Sequence, residues 1–502
     1  MIRGYPAEAI RAAEAPALTA GEPLMLRAAA AVAQTVRSLL PDPSADTATD
    51  PVVLVLVGGG NNGGDGLFAA ADLATTTEVV VALVKPDAHD AGLEAARAAG
   101  VDILDVSRPG AEGWEALLDV ADRADVWVDA LAGIGASGAL RGAARDVVER
   151  LRPLADAAPV PPRVVAVDIP SGVDADTGAV AGPVLAADLT VTFGAAKAGL
   201  LLPPGERLAG EVQVVTLGLE EAIAAQTPAV ARLLDADVTD LWPVPGVADH
   251  KYTRGVVGVL AGSEAYPGAA VLCVGGALRT GCGMVRYLGP ARAEQLVLSR
   301  WPEVVTAPGR VQAWVVGPGV GPDDDPRREE ITATIQVAVR DAVGLVVDAG
   351  ALDLLPAAEE LSDARAVLTP HAGELAALLA GHGEDVERAD IETDPGRWAA
   401  RAAELTGACV LLKGATTVVV APDGETYSQA DGTGWMATAG AGDVLAGILG
   451  ALLAGLPEVP VAKVAALAAL VHGRAGRTAS NGAPITAGDI VTALPAALRP
   501  LL

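Results

Sequence analysis

The stretch VVLVLV at 52–57 runs directly into GGGNNGGDG at 58–66, and this junction decides the fold. Six consecutive valines and leucines, with no polar alternation, read as a strand buried on both faces, as in a parallel sheet. Gly58, Gly60 and Gly63 then satisfy G-x-G-x-x-G, the spacing with which a dinucleotide fold brings a helix N-terminus against phosphate. That fingerprint also expects an acid at the end of the second strand, whereas the run at 79–84 ends in Lys85, a residue suited to a 2′-phosphate. Asn61, Asn62 and Asp65 add side-chain oxygens that a simple pyrophosphate turn does not need.

Working outward, β-branched runs at 79–84, 126–128, 164–167 and 189–193 alternate with Ala-rich helical stretches, the rhythm of a doubly wound, Rossmann-like parallel sheet. An Ala-rich helix at about 23–40 precedes it. Two further strands end in an acid followed by small residues, Asp129 in VDALAGIGASG and Asp168 in VDIPSGVDADTG. Ligands bind at the carboxyl ends of strands in such sheets, so Asn62, Asp65, Asp129, Asp168 and Ser171 are expected to share one crevice. Oxygen donors without thiol or imidazole suit an alkali or alkaline-earth cation better than zinc.

A second α/β rhythm starts at 256–260 and continues through 284–288, 314–316, 345–347, 366–368, 410–412 and 418–420, closing with helices near 442–455 and 461–480. There Thr438-Ala439-Gly440-Ala441-Gly442-Asp443 opens an apolar helix, so that small residues, N–H donors and the helix dipole make an anion hole with a carboxylate beside it. An acidic, Ala/Pro-rich passage separates the halves. The expected domains are 1–218 and 241–502, joined through 219–240.

Composition narrows the function classes. The 502 residues exceed a single core, and a formal charge of −28 disfavours a nucleic-acid groove or an anionic membrane surface. No apolar run reaches the roughly 18 residues of a spanning helix. The N-terminus shows no secretory h-region, so a cytoplasmic location is expected. Three scattered cysteines form no disulfide framework. A homo-oligomer is the expected assembly.

The N-terminal motifs NNGGDG, D-A-x-x-G and D-I-P-S-G resemble, in this order, the epimerase domain of the NAD(P)H-hydrate repair family. The resemblance implies that Asn61, Asn62, Gly63, Gly64 and Asp65, the loop Gly133, Ile134, Gly135, Ala136, Ser137, Gly138 and Ala139, and Asp168 contact hydrated NADH or NADPH. It implies a potassium ion on Asn62, Asp129 and Ser171. Asp168 is the first candidate for the acid/base and Asp174 the second, with Lys197 placed to stabilise the departing oxygen.

GSEAYPGAA, ALRTGCGMV, VVGPGVG, VVDAG, LTPHAGE, KGATT and ATAGAGD are similar, in that order, to the ADP- or ATP-dependent dehydratase domain of the same family, whose fold is ribokinase-like. Ala269, Gly319, His371 and Asp443 would line its hydrate site. Lys413, Gly414, Ala415, Thr416, Thr417 and Gly442 would serve the adenine nucleotide, with Mg²⁺ as its companion. Asp443 is the catalytic candidate. Together the halves would epimerise R and S hydrates and dehydrate the S form. The competing reading is a small-molecule kinase, for a hydroxymethylpyrimidine or thiazole alcohol, fused to a nucleotide-binding module. Where the family reads G-N-P-G-M-A this chain has GTGWMA, so Trp435 changes the rim of the nucleotide site.

Overall fold

The computed structural model describes residues 1–41, 50–108, 113–136, 138–157 and 160–502. It comprises two compact units, Arg3–Val230 and Ala231–Leu502, the latter including Met1–Ile2. The division falls within 219–240, which carries the short helices Glu220–Ala224 and Asp235–Leu241 and the strand Val230–Arg232.

The first unit is built on a seven-stranded sheet in the order Asp102–Asp105, Glu78–Leu83, Val52–Val57, Val126–Ala130, Arg163–Val167, Leu189–Phe193, Glu211–Val215, with every neighbouring pair parallel. The apolar run at 52–57 needs no alternation because both faces are covered. Val53, Val55 and Val57 pack under helices Leu24–Leu39 and Gly60–Leu73. Val52, Leu54 and Leu56 face Trp114, Leu117, Val147 and Leu151 from helices Gly113–Arg123 and Gly142–Ala157. Each such buried side chain contributes about 1.5–3 kcal/mol, so this central strand anchors the unit.

From Val52–Val57 the chain first adds two strands on one side, then returns to place Val126–Ala130 on the other. That reversal is a topological switch point, where the two loops diverge and leave a crevice.

The second unit repeats this logic. Its parallel strands run Met284–Tyr287, Val256–Leu260, Ala313–Val316, Gly344–Val347, Ala366–Leu368, Cys409–Leu412, and two antiparallel strands follow, Thr417–Val420 and Thr426–Gln429. Its switch point lies between Val256–Leu260 and Ala313–Val316. Helix Ala441–Gly455 is apolar on nearly all sides because it is buried against helix Pro267–Thr280. Glycines permit that approach: a Cβ on Gly447 would fall 2.0 Å from the Cys273 carbonyl oxygen.

The strands read from the sequence are present, most with one residue more or fewer at an end. The structure adds strands Ile2–Tyr5, Asp102–Asp105 and Glu211–Val215 and helix Ala7–Thr19. Among the described residues no helix is long and apolar enough to cross a membrane.

Candidate active sites

At the first switch point, Gly58 N donates to the Ala130 carbonyl at 3.1 Å, and a Cβ on Gly58 would sit 1.9 Å from the Leu131 oxygen. Only glycine allows these two strand ends to close so tightly. Helix Gly60–Leu73 therefore starts at the crevice and presents Asn61, Asn62 and Asp65 to a cleft of about 850 Å³. Gly133, Ile134, Gly135, Ala136 and Asp168 line the same cleft. Gly63 and Gly64 are buried in the helix, and Gly138 and Ala139 continue the 133–139 loop without lining the cavity. Ser137 lies outside the described residues.

Asp129 and Ser171, expected in the same crevice, do not line the cavity but tie the end of strand Val126–Ala130 to the loop after Arg163–Val167. The Ser171 backbone N–H donates to Asp129 Oδ2 at 2.8 Å and its hydroxyl to Oδ1 at 2.6 Å, while Ala132 N donates to Ser171 Oγ at 2.8 Å. Burial pushes the Asp129 carboxyl up, against the opposing pull of these hydrogen bonds. Beside them Asn62 Nδ2 is buried without a partner, and its amide lies about 3.1 Å from where a Gly133 Cβ would stand.

Asp168 takes a φ of 69°, a left-handed conformation that costs a non-glycine residue about 1–3 kcal/mol. The turn aims its carboxylate at Lys197, which is only 1% exposed and pairs with Asp168 Oδ1. Lys197 Nζ also donates to Thr192 Oγ1 at 3.1 Å and to the Phe193 carbonyl at 2.8 Å. Lys197 is thus a buried, paired lysine rather than a solvated one. Asp174 instead caps its own turn, accepting from Asp176 N, Thr177 N and Thr177 Oγ1, and does not line the cleft.

Charged cleft residues at Asp87 and on helix Ala7–Thr19 escaped the sequence reading. Glu14 and Arg11, on helix Ala7–Thr19, line the cavity, and Arg11 Nη2 donates to the Ile134 carbonyl at 2.7 Å. Burial pushes the Glu14 carboxyl up, although Lys197 opposes it. Burial, with Asp168 and Glu14 adding repulsion, pushes Asp65 up to about 8.

In the second unit, Gly262 N donates to the Pro318 carbonyl at 2.7 Å across the switch point, and a Cβ on Gly319 would fall 2.5 Å from Ala269 Cβ. Ala269 and Gly319 are therefore neighbours. Three strands on, Lys413 Nζ pairs with Asp348 Oδ1 at 2.7 Å and approaches Glu374 Oε2 at 3.6 Å. Thr369 Oγ1 donates to the same Asp348 oxygen at 2.9 Å. Burial opposes the Lys413 charge, but Asp348 and Glu374 outweigh it and hold the ammonium above its ordinary value.

His371 caps helix Ala372–Gly381: its Nδ1 accepts from Gly373 N and Glu374 N, both at 3.1 Å, while Glu374 Oε2 accepts from His371 N at 2.8 Å. Its ring remains exposed, with Nε2 3.6 Å from Glu374 Oε1. Gly440 (φ 90°) turns the chain into helix Ala441–Gly455, and Lys413 Nζ lies 3.4 Å from where a Gly442 Cβ would stand. Burial, reinforced by Asp348 and partly relieved by Lys413, pushes Asp443 up to about 7. Gly414 and Ala415 are exposed, Thr416 is buried, and Thr417 begins its strand. Trp435 stands 48% exposed on the short helix Gly434–Met436.

A family model described as NAD(P)H-hydrate dehydratase matches residues 257–495, and one for the YjeF-related protein N-terminus matches 21–199. The bifunctional NAD(P)H-hydrate repair enzyme of Mycobacterium leprae is 42% identical over 97% of this chain and 96% of its own. The chain belongs to that family. A second relative, the NAD(P)H-hydrate epimerase of Microbacterium testaceum, is 48% identical over 47% of this chain and 86% of its own. A crystal structure of the ADP/ATP-dependent NAD(P)H-hydrate dehydratase of Bacillus subtilis, co-crystallised with ATP/Mg²⁺, is 25% identical with a TM-score of 0.47, covering 54% of this chain and 99% of its own.

Membership in the bifunctional NAD(P)H-hydrate repair family gives the two clusters a common frame. Each half places a carboxylate near a lysine at the carboxyl ends of its strands, Asp168 with Lys197 and Asp348 with Lys413. Asp348 and Glu374 lie in segments that the sequence motifs cover, but nothing in the sequence shows that both meet Lys413.

Proposed function

We propose that the N-terminal half interconverts the R and S hydrates of NADH and NADPH, and that the C-terminal half dehydrates the S form using ADP or ATP. The observation that carries this reading is that one member of the repair family contains both a dinucleotide-sized cleft, lined by an aspartate that a buried lysine holds, and a carboxylate at a helix-opening anion hole.

The hydrate carries its hydroxyl on a ring carbon next to nitrogen. Asp168 Oδ1 is held by Lys197, Thr192 Oγ1 and Phe193 N, which leaves Oδ2 to take the hydroxyl proton. As the proton leaves, the ring C–N bond opens to an aldehyde and the nitrogen takes a proton from Asp65, which burial keeps protonated near neutral pH. Reclosure on the opposite carbonyl face returns both protons and gives the other epimer. Lys197, committed to Asp168, Thr192 and the Phe193 carbonyl, acts through Asp168, whose Oδ1 it holds.

Potassium suits the oxygens of Asn62, Asp129 and Ser171, a donor set without thiol or imidazole, and Asn62 Nδ2, which has no internal partner, leaves the amide able to turn its oxygen to the ion. The ion would supply positive charge that favours ionised Asp129.

In the dehydratase half, Asp443 takes the hydroxyl proton of the S hydrate while the oxygen attacks the terminal phosphorus of the nucleotide. A new O–P bond forms and the phosphoanhydride bond breaks, releasing AMP from ADP or ADP from ATP. Phosphate then leaves the ring carbon, a proton leaves the adjacent carbon, and the dihydronicotinamide is restored. Lys413, Gly442 and the N-terminus of helix Ala441–Gly455 hold the phosphate. Ala269, Gly319 and His371 line the hydrate side. A magnesium ion would come with the nucleotide, whose phosphates supply hard oxygen ligands and whose charge it would neutralise.

Absorbance recovery at the reduced-nicotinamide band tests the reading, with mixed R and S hydrates and ADP or ATP. Wild type should recover all the absorbance, Asp443→Ala none, and Asp168→Asn only the S fraction rapidly. Absence of recovery with either nucleotide, together with accumulation of a phosphorylated alcohol, would favour the kinase reading.

A further inference from the structure

Lys85 and Asp87 follow strand Glu78–Leu83 and line the epimerase cleft. A Cβ on Gly59 would stand 3.3 Å from Lys85 Cδ, 3.5 Å from the Asp87 carbonyl and 3.9 Å from Asp87 Oδ1. The lysine stem and the aspartate carboxyl thus flank the turn that opens helix Gly60–Leu73. Both side chains are exposed, and among the described residues Lys85 makes no ion pair or hydrogen bond. Arg11, the other cation lining the cleft, is already committed to the Ile134 carbonyl.

The reacting pair sits across the sheet. Asp168 follows strand Arg163–Val167, three positions from Glu78–Leu83 in the strand order, a separation of about 14 Å at the usual strand spacing. One nucleotide cannot reach from end to end, but two joined by a pyrophosphate can. With the hydrated ring at Asp168, the adenosine ribose falls beside Lys85 and Asp87. In dinucleotide folds this strand end reads the ribose 2′ position, a carboxylate accepting the hydroxyls and a cation accommodating the 2′-phosphate.

Resting on the epimerase reading, we propose that Lys85 and Asp87 together set coenzyme choice in this half: Lys85 pairs with the 2′-phosphate of NADPH hydrate, and Asp87 accepts the 2′-hydroxyl of NADH hydrate. The cleft accepts both because each form has its own partner, two residues apart on one loop. Asp87 also repels the phosphate, which limits the preference Lys85 creates.

The test measures R-to-S interconversion by chromatography in the full-length chain, for each hydrate separately, without ADP or ATP so that the dehydratase is silent. Lys85→Ala should raise KM for NADPH hydrate about tenfold, the scale of a lost charge-assisted contact, and leave kcat for both hydrates and KM for NADH hydrate within about twofold. Asp87→Asn should raise KM for NADH hydrate and not for NADPH hydrate. Equal shifts for both hydrates, or none in either variant, overturn the assignment while the wild-type rate still supports epimerisation. A wild type that interconverts neither hydrate overturns the epimerase reading, and this inference with it.

Discussion

Asp348 Oδ1 lies 2.7 Å from Lys413 Nζ and accepts the Thr369 hydroxyl at 2.9 Å, so one carboxylate oxygen holds the lysine that faces the helix start at Gly442. The same carboxylate helps push Asp443 up to about 7, second to burial. A base works only when deprotonated, so the dehydration rate at saturating substrates should rise as pH climbs through about 7 and level off above it. Asp348→Asn removes one negative neighbour and leaves the Lys413 charge in place. Its rising limb should therefore move to lower pH, alongside a roughly 10- to 100-fold loss of kcat/KM as Lys413 loses its anchor. An unmoved limb would mean that Asp348 does not tune Asp443.

Lys197→Met leaves the Asp168 carboxylate buried without its partner, a change that typically costs about 3–5 kcal/mol. Epimerisation should fall by about 10²-fold or more, with dehydration of purified S hydrate unchanged. Adding Asp168→Asn should restore part of the lost stability, because an amide needs no counter-charge, but no activity. Denaturant unfolding of the single and double variants checks the first point. Additive stability losses would show that the two groups do not act as a pair.

The sequence made the scaffold legible wherever burial is two-sided. Val52–Val57 reads as a strand because helices cover both its faces, and Gly58 marks the switch point because the Leu131 carbonyl leaves no room for a side chain. The strand-end acids Asp129 and Asp168 follow from the same logic. Helix Ala7–Thr19 gave no signal, since AEAIRAAEAPALT contains no motif and the strand before it, Ile2–Tyr5, is short, so Arg11 and Glu14 stayed hidden. Lys197 was ambiguous because burial of a lysine depends on groups 4 to 29 residues away along the chain. Asp348, Glu374 and Lys413 come from three separate segments, each following a different strand, and only the strand order brings them together.

His371 has a capping role and a proposed binding role that substitution can separate. Its Nδ1 caps helix Ala372–Gly381, which also positions Glu374, while Nε2 on the exposed ring edge lies 3.6 Å from Glu374 Oε1. Asparagine is a good N-cap, so His371→Asn should preserve thermal stability, whereas His371→Ala should lose about 1 kcal/mol. If the ring contacts the hydrate, both variants should raise its KM. A normal KM in the asparagine variant, with a raised one in the alanine variant, would reduce His371 to a helix cap.

Gly319 offers the sharpest steric test of the second switch point. It holds φ at 68°, and an added methyl would stand 2.5 Å from Ala269 Cβ and 3.0 Å from the Tyr266 carbonyl. Neither neighbour is a flexible side-chain end, so Gly319→Ala has to shift backbone as well as bear a left-handed conformation, at about 1–3 kcal/mol. Gly268→Ala, one residue from Ala269, is the control: no atom comes within 4 Å of its added methyl, and it lies in helix Pro267–Thr280. That change should stay within about 0.5 kcal/mol of wild type or stabilise slightly. Denaturant unfolding together with KM for S hydrate compares the two variants. Gly319→Ala should lose stability and raise KM by spreading the Ala269–Gly319 wall, with nucleotide KM little changed because Lys413 and Gly442 stand on other segments. Equal behaviour of the two variants would show that this wall yields and that its closeness does not shape the hydrate site.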